Sequence, residues 1–359
     1  MTSLGAPAIP GSSTERIRPR RAMTPPYLKG PGSVSQTVET IQWAEAAGYD
    51  DVWLADAGGI DALTLAAVVL QCTNRIRVGI AVVPAYTRTP AVFAATIATL
   101  SDIAPGRFVL GLGTSSQAMI EGWHGMTLER PLTRMRETTA LLQTMLSGEK
   151  TQFAGTTLCS NGYHQPPLAA DVPIMLAALG PAMIKLAAEV SAGVILNLCP
   201  ISALNSTLAR IANSAADVGR DPTCIEVGAR LQVMVTDDVD SARDRFRFAF
   251  APYFANPVYN KFLASCGFAA EAAELQAARA RGDWAAARRA LPDDLVDEIA
   301  VIGGREHCQE RVAYIIAAGV TTPMLFCMSD DGDVQRRTYE AFSAEQFDLA
   351  GAYRGRDGR

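Results

Sequence analysis

Two segments of this 359-residue chain combine small hydroxyl side chains, glycines and a helix start in patterns suited to binding an anion. The first runs Pro105-Gly106-Arg107-Phe108-Val109-Leu110-Gly111-Leu112-Gly113-Thr114-Ser115-Ser116. Phe108 to Leu112 is apolar and too short for a helix, so it reads as a buried strand. Gly111 and Gly113 remove side chains where another group can approach the backbone closely. Thr114, Ser115 and Ser116 then offer hydroxyls and backbone N–H groups where the strand ends, a loop able to hold a phosphate. An ordinary strand-to-loop junction would have the same sequence. The second segment is Ala177-Ala178-Leu179-Gly180-Pro181-Ala182-Met183. Here Gly180 relaxes the backbone and Pro181 takes a first helical position. The exposed N–H groups at this helix start, those of Leu179, Gly180 and Ala182, then lie at the positive end of a helix dipole. A plain strand-to-helix turn satisfies this sequence as well.

The titratable candidates are few. His124, within Gly122-Trp123-His124-Gly125, has the side chain best suited to general acid chemistry near neutral pH; packing beside Trp123 is its bland alternative. Asp56 either shuttles a proton at a ligand or braces the Gly58-Gly59 turn. Asn197 either faces a substrate, as Trp123 would, or satisfies buried backbone. Arg88 and Arg134 suit either an acidic ligand or structural ion pairs. Cys199 has no basic partner nearby in sequence and reads as inert packing. Seven dispersed cysteines without a CxxC pair, and only three histidines, predict no metal site and no disulfide framework.

The elements that must position these residues alternate. Helical periods cover 34–48, 62–72, 91–103, 132–146, 181–190, 204–218, 240–254 and 306–318, several closed by glycine. Strand-like runs fall at 52–55, 76–83, 108–112, 172–176, 194–198, 225–235 and 324–328, with a less regular first strand near Ile17. Such repeated units predict a parallel sheet covered by helices, and eight strands fit a closed (β/α)8 TIM barrel with insertions. No G-x-G-x-x-G follows the first strand, against a dinucleotide-binding sheet. We expect residues 1–32 to be a tail with a possible first strand, 33–350 one barrel domain and 351–359 a tail. A helical insertion is expected at about 256–300, and 151–171 reads as an excursion or hairpin. In a barrel, chemistry belongs at the C-terminal strand ends, which selects Asp56, 84–88, 114–124, 177–180 and 197–200.

An apolar content of 49% permits a large core, and a net charge of −5 argues against nucleic acid or an anionic membrane as partner. Arg16, Arg18, Arg20 and Arg21 read as a solvated basic tail. With neither a signal peptide nor an apolar run of roughly 18 residues, the expectation is a cytoplasmic protein.

Val82-Val83-Pro84-Ala85-Tyr86-Thr87-Arg88-Thr89-Pro90-Ala91, Gly106 to Gly113, Gly122 to Gly125, Arg130 to Arg134 and Ala177 to Pro181 together resemble the luciferase-like monooxygenase superfamily. The resemblance is to its branch of coenzyme F420 (deazaflavin)-dependent oxidoreductases, over roughly residues 34 to 236 and again around 303 to 326. It implies a cofactor at the C-terminal mouth, its phosphate held by Gly113 to Ser116 and by Leu179, Gly180, Pro181 and Ala182. It also implies a non-prolyl cis peptide near Ile80-Ala81 behind the ring. The glucose-6-phosphate dehydrogenases of the branch carry Asp-His where this chain has Asp56-Ala57, and a catalytic Glu where it has Ser116; a sugar-phosphate dehydrogenase is therefore disfavoured. The resemblance leads to a hydride-transferring oxidoreductase, with His124, Asp56 or a water managing the proton and a homodimer as the family's usual state. The alternatives are an FMN-dependent monooxygenase of the same superfamily and a non-catalytic flavin- or deazaflavin-binding protein.

Overall fold

The computed structural model describes residues 15–26 and 30–354. Residues 1–14 and 355–359, the outer parts of the expected tails, lie outside the described residues. β1 (Ala22–Thr24), α1 (Ser33–Ala46), β2 (Asp51–Leu54), α2 (Ala62–Cys72), β3 (Arg77–Ile80) and a two-residue β4 (Val83–Pro84) come first. After α3 (Pro90–Ile103) and β5 (Phe108–Gly113), a π-helical turn at Ala118–Trp123 precedes α4 (Pro131–Leu146). A hairpin of β6 (Gln152–Ala154) and β7 (Cys159–Asn161) follows, then β8 (Ile174–Ala177), α5 (Pro181–Val190), β9 (Gly193–Asn197), α6 (Ile201–Ala216) and β10 (Glu226–Val235). α7 (Val239–Phe254) leads into α8 (Pro257–Ser265), α9 (Ala269–Ala280), α10 (Trp284–Arg289) and α11 (Asp293–Ile299). β11 (Ala300–Gly303), α12 (Arg305–Ala318), β12 (Thr322–Cys327), α13 (Gly332–Glu340) and α14 (Leu349–Arg354) complete the chain.

Parallel pairing runs β10–β12–β1–β2–β3–β5–β8–β9 and returns from β9 to β10, closing the expected eight-stranded barrel. Helix starts follow local chemistry. Asp61 accepts from Thr64 N ahead of α2, Thr89 from Val92 N ahead of α3, and Asp238 from Ser241 N ahead of α7. The outward strand faces and the inner helix faces form the main core. A separate apolar plug of Ala22, Trp53, Val109, Met175, Ile195 and Met324 fills the lumen. Gly79 makes room for the plug: a Cβ there would lie 2.4 Å from Cε3 of Trp53.

Below the plug, Arg77 bridges two buried carboxylates. Its Nε donates to Asp51 Oδ1 at 3.0 Å and its Nη2 to Glu226 Oε1 at 2.6 Å. Thr322 Oγ1 adds a bond to Glu226 at 2.6 Å. Burial alone would pull the Arg77 pKa down, but the charges of Asp51 and Glu226 win and raise it.

Several expectations shift. The first strand is Ala22–Thr24, not Ile17, because the register onto β2 and β12 starts at Ala22. Arg20 and Arg21 are half-buried and tied to the barrel and do not form a free tail: Arg20 Nε donates to Asp51 at 2.6 Å, and Arg21 donates to the carbonyls of Phe342, Gly48 and Phe347. The run 76–83 divides into β3 and β4, with the cis peptide at Ala81–Val82, one residue beyond the expected Ile80-Ala81. β11 is an added strand that pairs with the end of β10. Residues 349–354 are helical, with Ala352 and Tyr353 packed on the core.

Candidate active site at the barrel mouth

Strand alternation decides which side chains look into the lumen. Two residues above the plug, the same faces carry Thr24, Ala177, Asn197, Arg230 and Phe326, with Gly111 and Gly113 on β5. One further step up β10 adds Gln232. Register pairs Thr24 with Phe326 and Phe326 with Gln232, while Arg230 pairs with Asn197. The Arg230 guanidinium carbon lies 4.1 Å from the centroid of the Phe326 ring.

Three buried polar atoms of this layer, Thr24 Oγ1, Arg230 Nε and Gln232 Oε1, have no hydrogen-bond partner among the described residues. Buried polar atoms are normally satisfied, so such a cluster at a barrel mouth suits a polar ligand. Gln232 Nε2 donates to Asn197 Oδ1 at 3.1 Å, and Asn197 Nδ2 donates to Tyr259 Oη at 2.9 Å. Tyr259 belongs to α8, so the helices after α7 reach over this side of the mouth. Burial pushes the Tyr259 hydroxyl pKa upward and keeps it neutral.

The two sequence-predicted anion loops sit at the ends of adjacent strands, β5 and β8. Ser115 adopts the left-handed region (φ 61°), which turns the chain sharply after Thr114. Ser116 Oγ accepts from Met119 N at 3.3 Å and Ser115 Oγ contacts Met119 Sδ at 3.2 Å. Across from them, Gly180 precedes α5 with no side-chain cap, and a Cβ at Gly180 would meet nothing within 4 Å. Leu179 and Gly180 are half-buried, while Pro181 and Ala182 are exposed. At Gly113 a Cβ would stand 2.5 Å from Val82 Cγ2, so that glycine lets the bulge beside Ala81 approach.

Asp56 is tied down: Arg88 Nη1 donates to its Oδ2 at 2.9 Å, and Ala62 N approaches Oδ1 at 3.5 Å. Arg88 also pairs with Asp61, the cap of α2. The carboxylate therefore braces the turn before α2. His124 ends the π-helical turn with an exposed side chain. Trp123 is 61% exposed, yet its ring covers Gly58, where a Cβ would lie 3.1 Å from Cζ3. The structure thus brings the Asp56 turn and the Trp123-His124 loop together, while Asn197 stands on the β9–β10 side. Arg134 donates to the carbonyls of Ala85 and Thr157 and covers the Tyr86 ring. It lines a cleft of about 670 Å³, beside Gly125, Arg130 and Thr156. The Cys199 thiol is pushed up to about 12 by burial and is no nucleophile. No cluster of metal-ligating side chains occurs among the described residues, and no helix among them is long and apolar enough to cross a membrane.

Thr24, Arg230, Gln232, Phe326 and Tyr259 were not singled out by sequence. Arg230 and Gln232 did leave a signal, two polar residues at i and i+2 within an apolar ten-residue strand. Tyr259 left none, because its position over Asn197 depends on how α8 folds back.

The family described as luciferase-like monooxygenase matches residues 18–322. The chain is 32% identical over 281 residues to the 5,10-methylenetetrahydromethanopterin reductase of Methanolobus tindarius, covering 77% of this chain and 86% of that one. It is also 32% identical over 317 residues to a Mycobacterium tuberculosis protein named, provisionally, as a coenzyme F420-dependent oxidoreductase, covering 79% of this chain and 88% of that one. Among solved structures, the coenzyme F420-dependent tetrahydromethanopterin reductase of Methanopyrus kandleri superposes with a TM-score of 0.74 at 21% identity. That match covers 91% of this chain and 98% of the other.

Proposed function

The chain belongs to the luciferase-like monooxygenase family, and from that premise we propose that it is an oxidoreductase moving a hydride between coenzyme F420 and a small organic substrate. The observation that carries the reading is the pairing of the Ser115 turn with the uncapped start of α5 at the ends of adjacent strands, at a mouth where Thr24 Oγ1, Arg230 Nε and Gln232 Oε1 are left without partners for a substrate to meet. A deazaflavin, once bound, supplies the hydride chemistry; the protein supplies binding, orientation and electrostatics.

The residues present fit such a group. The uncapped start of α5 at Gly180 and the left-handed turn at Ser115 offer backbone N–H groups and hydroxyls for its phosphate. Ile80 and Ala81 lead into the bulge that the ring would back onto, and Gly111 and Gly113 give that bulge room against β5, where a Cβ would lie 2.0 Å from Ile80 O and 2.5 Å from Val82 Cγ2 respectively. Asn197, held by Tyr259 and Gln232, is oriented toward a substrate, and Trp123 walls the opposite side. Asp56 is engaged by Arg88, so His124 or a water is the better proton carrier, once the loop of residues 118–125 folds inward. The helices of 256–300 serve as the lid that shapes substrate choice. By family analogy the working state is a homodimer.

Support for F420 comes from the relative named for it at 32% identity. The FMN-dependent monooxygenase reading is favoured by the family description itself. Parallel fluorescence titrations with F420, FMN and NADPH decide between them. Micromolar or tighter F420 binding with much weaker FMN binding is expected; tight FMN binding without F420 binding would overturn the proposal.

A further inference from the structure

The charge at the mouth is unbalanced. Arg230 lies in the layer above the apolar plug, with its Nε sealed from solvent and unpartnered. No hydrogen bond or ion pair from its guanidinium to any described residue is present; its contact is with the face of Phe326. The ionisable groups that face it are Tyr253 of α7, Tyr259 of α8 and Tyr339 of α13, with no carboxylate among them. Burial lowers the Arg230 pKa, and the tyrosines only partly offset it. The other enclosed arginine of the lumen, Arg77, holds two carboxylates. A cation partly withdrawn from water gains most from an anion that meets it, and the half-buried Arg230 guanidinium has none among the described residues.

Position separates this charge from the cofactor's phosphate. Counting barrel strands from β1, the two anion loops follow the fourth and fifth, β5 and β8. Arg230, Phe326 and Thr24 stand on the seventh, eighth and first, across the mouth. A guanidinium fork matches a planar pair of oxygens better than a single point charge.

We propose that Arg230 receives the carboxylate of the substrate, which makes the substrate class a small organic acid. Phe326 forms the floor beneath that carboxylate and Tyr259 its cover. Gln232 Oε1 and Thr24 Oγ1 are placed to accept from an N–H or O–H beside the acid group. This assignment rests on the reading of the mouth as a redox site. It adds Arg230 as a residue that selects substrate by charge.

The test uses benzoate and neutral benzamide as shape-matched probes, titrated into the full-length protein with and without F420. The variants are Arg230→Gln and Arg230→Lys. Benzoate is expected to bind the wild type at least tenfold more tightly than benzamide. It should lose at least tenfold in Arg230→Gln and recover partly in Arg230→Lys, while F420 affinity stays within twofold. Arg230→Gln should melt no lower than the wild type, because it removes a half-buried charge and breaks no hydrogen bond. Equal binding of the two probes, or undiminished benzoate binding by Arg230→Gln, overturns the proposal. So does a tenfold loss of F420 affinity in Arg230→Gln, which would give Arg230 to the cofactor. If the wild type binds no F420 yet still selects benzoate through Arg230, the cofactor reading fails and the carboxylate site stands.

Discussion

Replacing Gly180 by aspartate should stabilise the fold and damage cofactor binding at once. Gly180 has ordinary extended dihedrals (φ −82°, ψ 157°), and a Cβ there meets nothing within 4 Å, so the substitution is sterically free. Asp is a good helix N-cap, worth a few tenths of a kcal/mol over glycine. It also complements the dipole by about 0.5 kcal/mol. Restricting the unfolded chain adds about 0.5 kcal/mol. Together the gain is about 1 kcal/mol. With an unfolding entropy of roughly 2.1 cal/mol/K per residue, the 359-residue chain should melt about 1–2 °C higher. The cofactor phosphate would meet a carboxylate instead of free N–H groups. Two unit charges about 5 Å apart repel by roughly 3 kcal/mol at an effective dielectric of about 20. F420 affinity should therefore fall about 100-fold, at 1.4 kcal/mol per decade. Calorimetry reads the first effect and fluorescence titration the second. A deazaflavin riboside lacking the phosphate serves as control, and its affinity should not change. The reasoning fails if F420 binds Gly180→Asp as it binds the wild type, if both ligands weaken equally, or if the variant melts lower.

Two further predictions follow from charges held inside the structure. Arg77→Met strands Glu226 with only Thr322 Oγ1, and should cost about 3–5 kcal/mol in urea unfolding. Adding Glu226→Gln should return a large part of that loss, whereas additive costs would show that the pair is not coupled. Glu137 accepts from Thr156 N at 2.5 Å, Thr157 N at 2.8 Å and Leu158 N at 2.9 Å, tying α4 to the hairpin beside the large cleft. Burial pushes its pKa up, but the bonds from Thr157, Thr156 and Leu158 outweigh it and hold the carboxyl below its ordinary value. Its stabilisation is then full above an unfolded value of about 4.3 and lost as pH falls through the lower folded value. The gap in melting temperature between wild type and Glu137→Gln should be widest near neutral pH and shrink below about pH 4. A constant gap down to pH 3 would refute the role.

Helices were legible because their period and stops are local: Ala62–Cys72 and Pro181–Val190 were read to the residue. The barrel followed from the alternation, and the glycine- and hydroxyl-rich stretches at 113–116 and 179–182 were placed at the ends of adjacent strands, where the structure has them. What escaped the sequence is non-local. Arg20 and Arg21 look like a tail until the base of the barrel brings Asp51 and three carbonyls to them. Ala300–Gly303 follows an alanine-rich helical stretch, and only its pairing with Gln232–Val235 makes it a strand. Arg230 interrupts an apolar run, which a reading by hydrophobicity treats as noise. Its setting emerges only in the fold: it shares a lumen face with Gly228, and among the described residues no carboxylate pairs with it.

β10 changes neighbours along its length. Glu226–Arg230 pairs with β9, and Gln232–Val235 pairs with β11, where the helical excursion returns to the sheet. The excursion is consequently fixed to the barrel at its exit by a parallel ladder. At its entry, Tyr259 accepts a hydrogen bond from Asn197 Nδ2, and its ring packs edge-on against Tyr253 and Phe254. α7 and α8 in turn share an apolar cluster with Leu198, Met234, Ile302 and Met328 at the strand ends. The wall on this side of the mouth is therefore continuous with a packed core. The tyrosine that helps complete that core also fixes the Asn197 amide, so packing and the alignment of the mouth are set by one side chain.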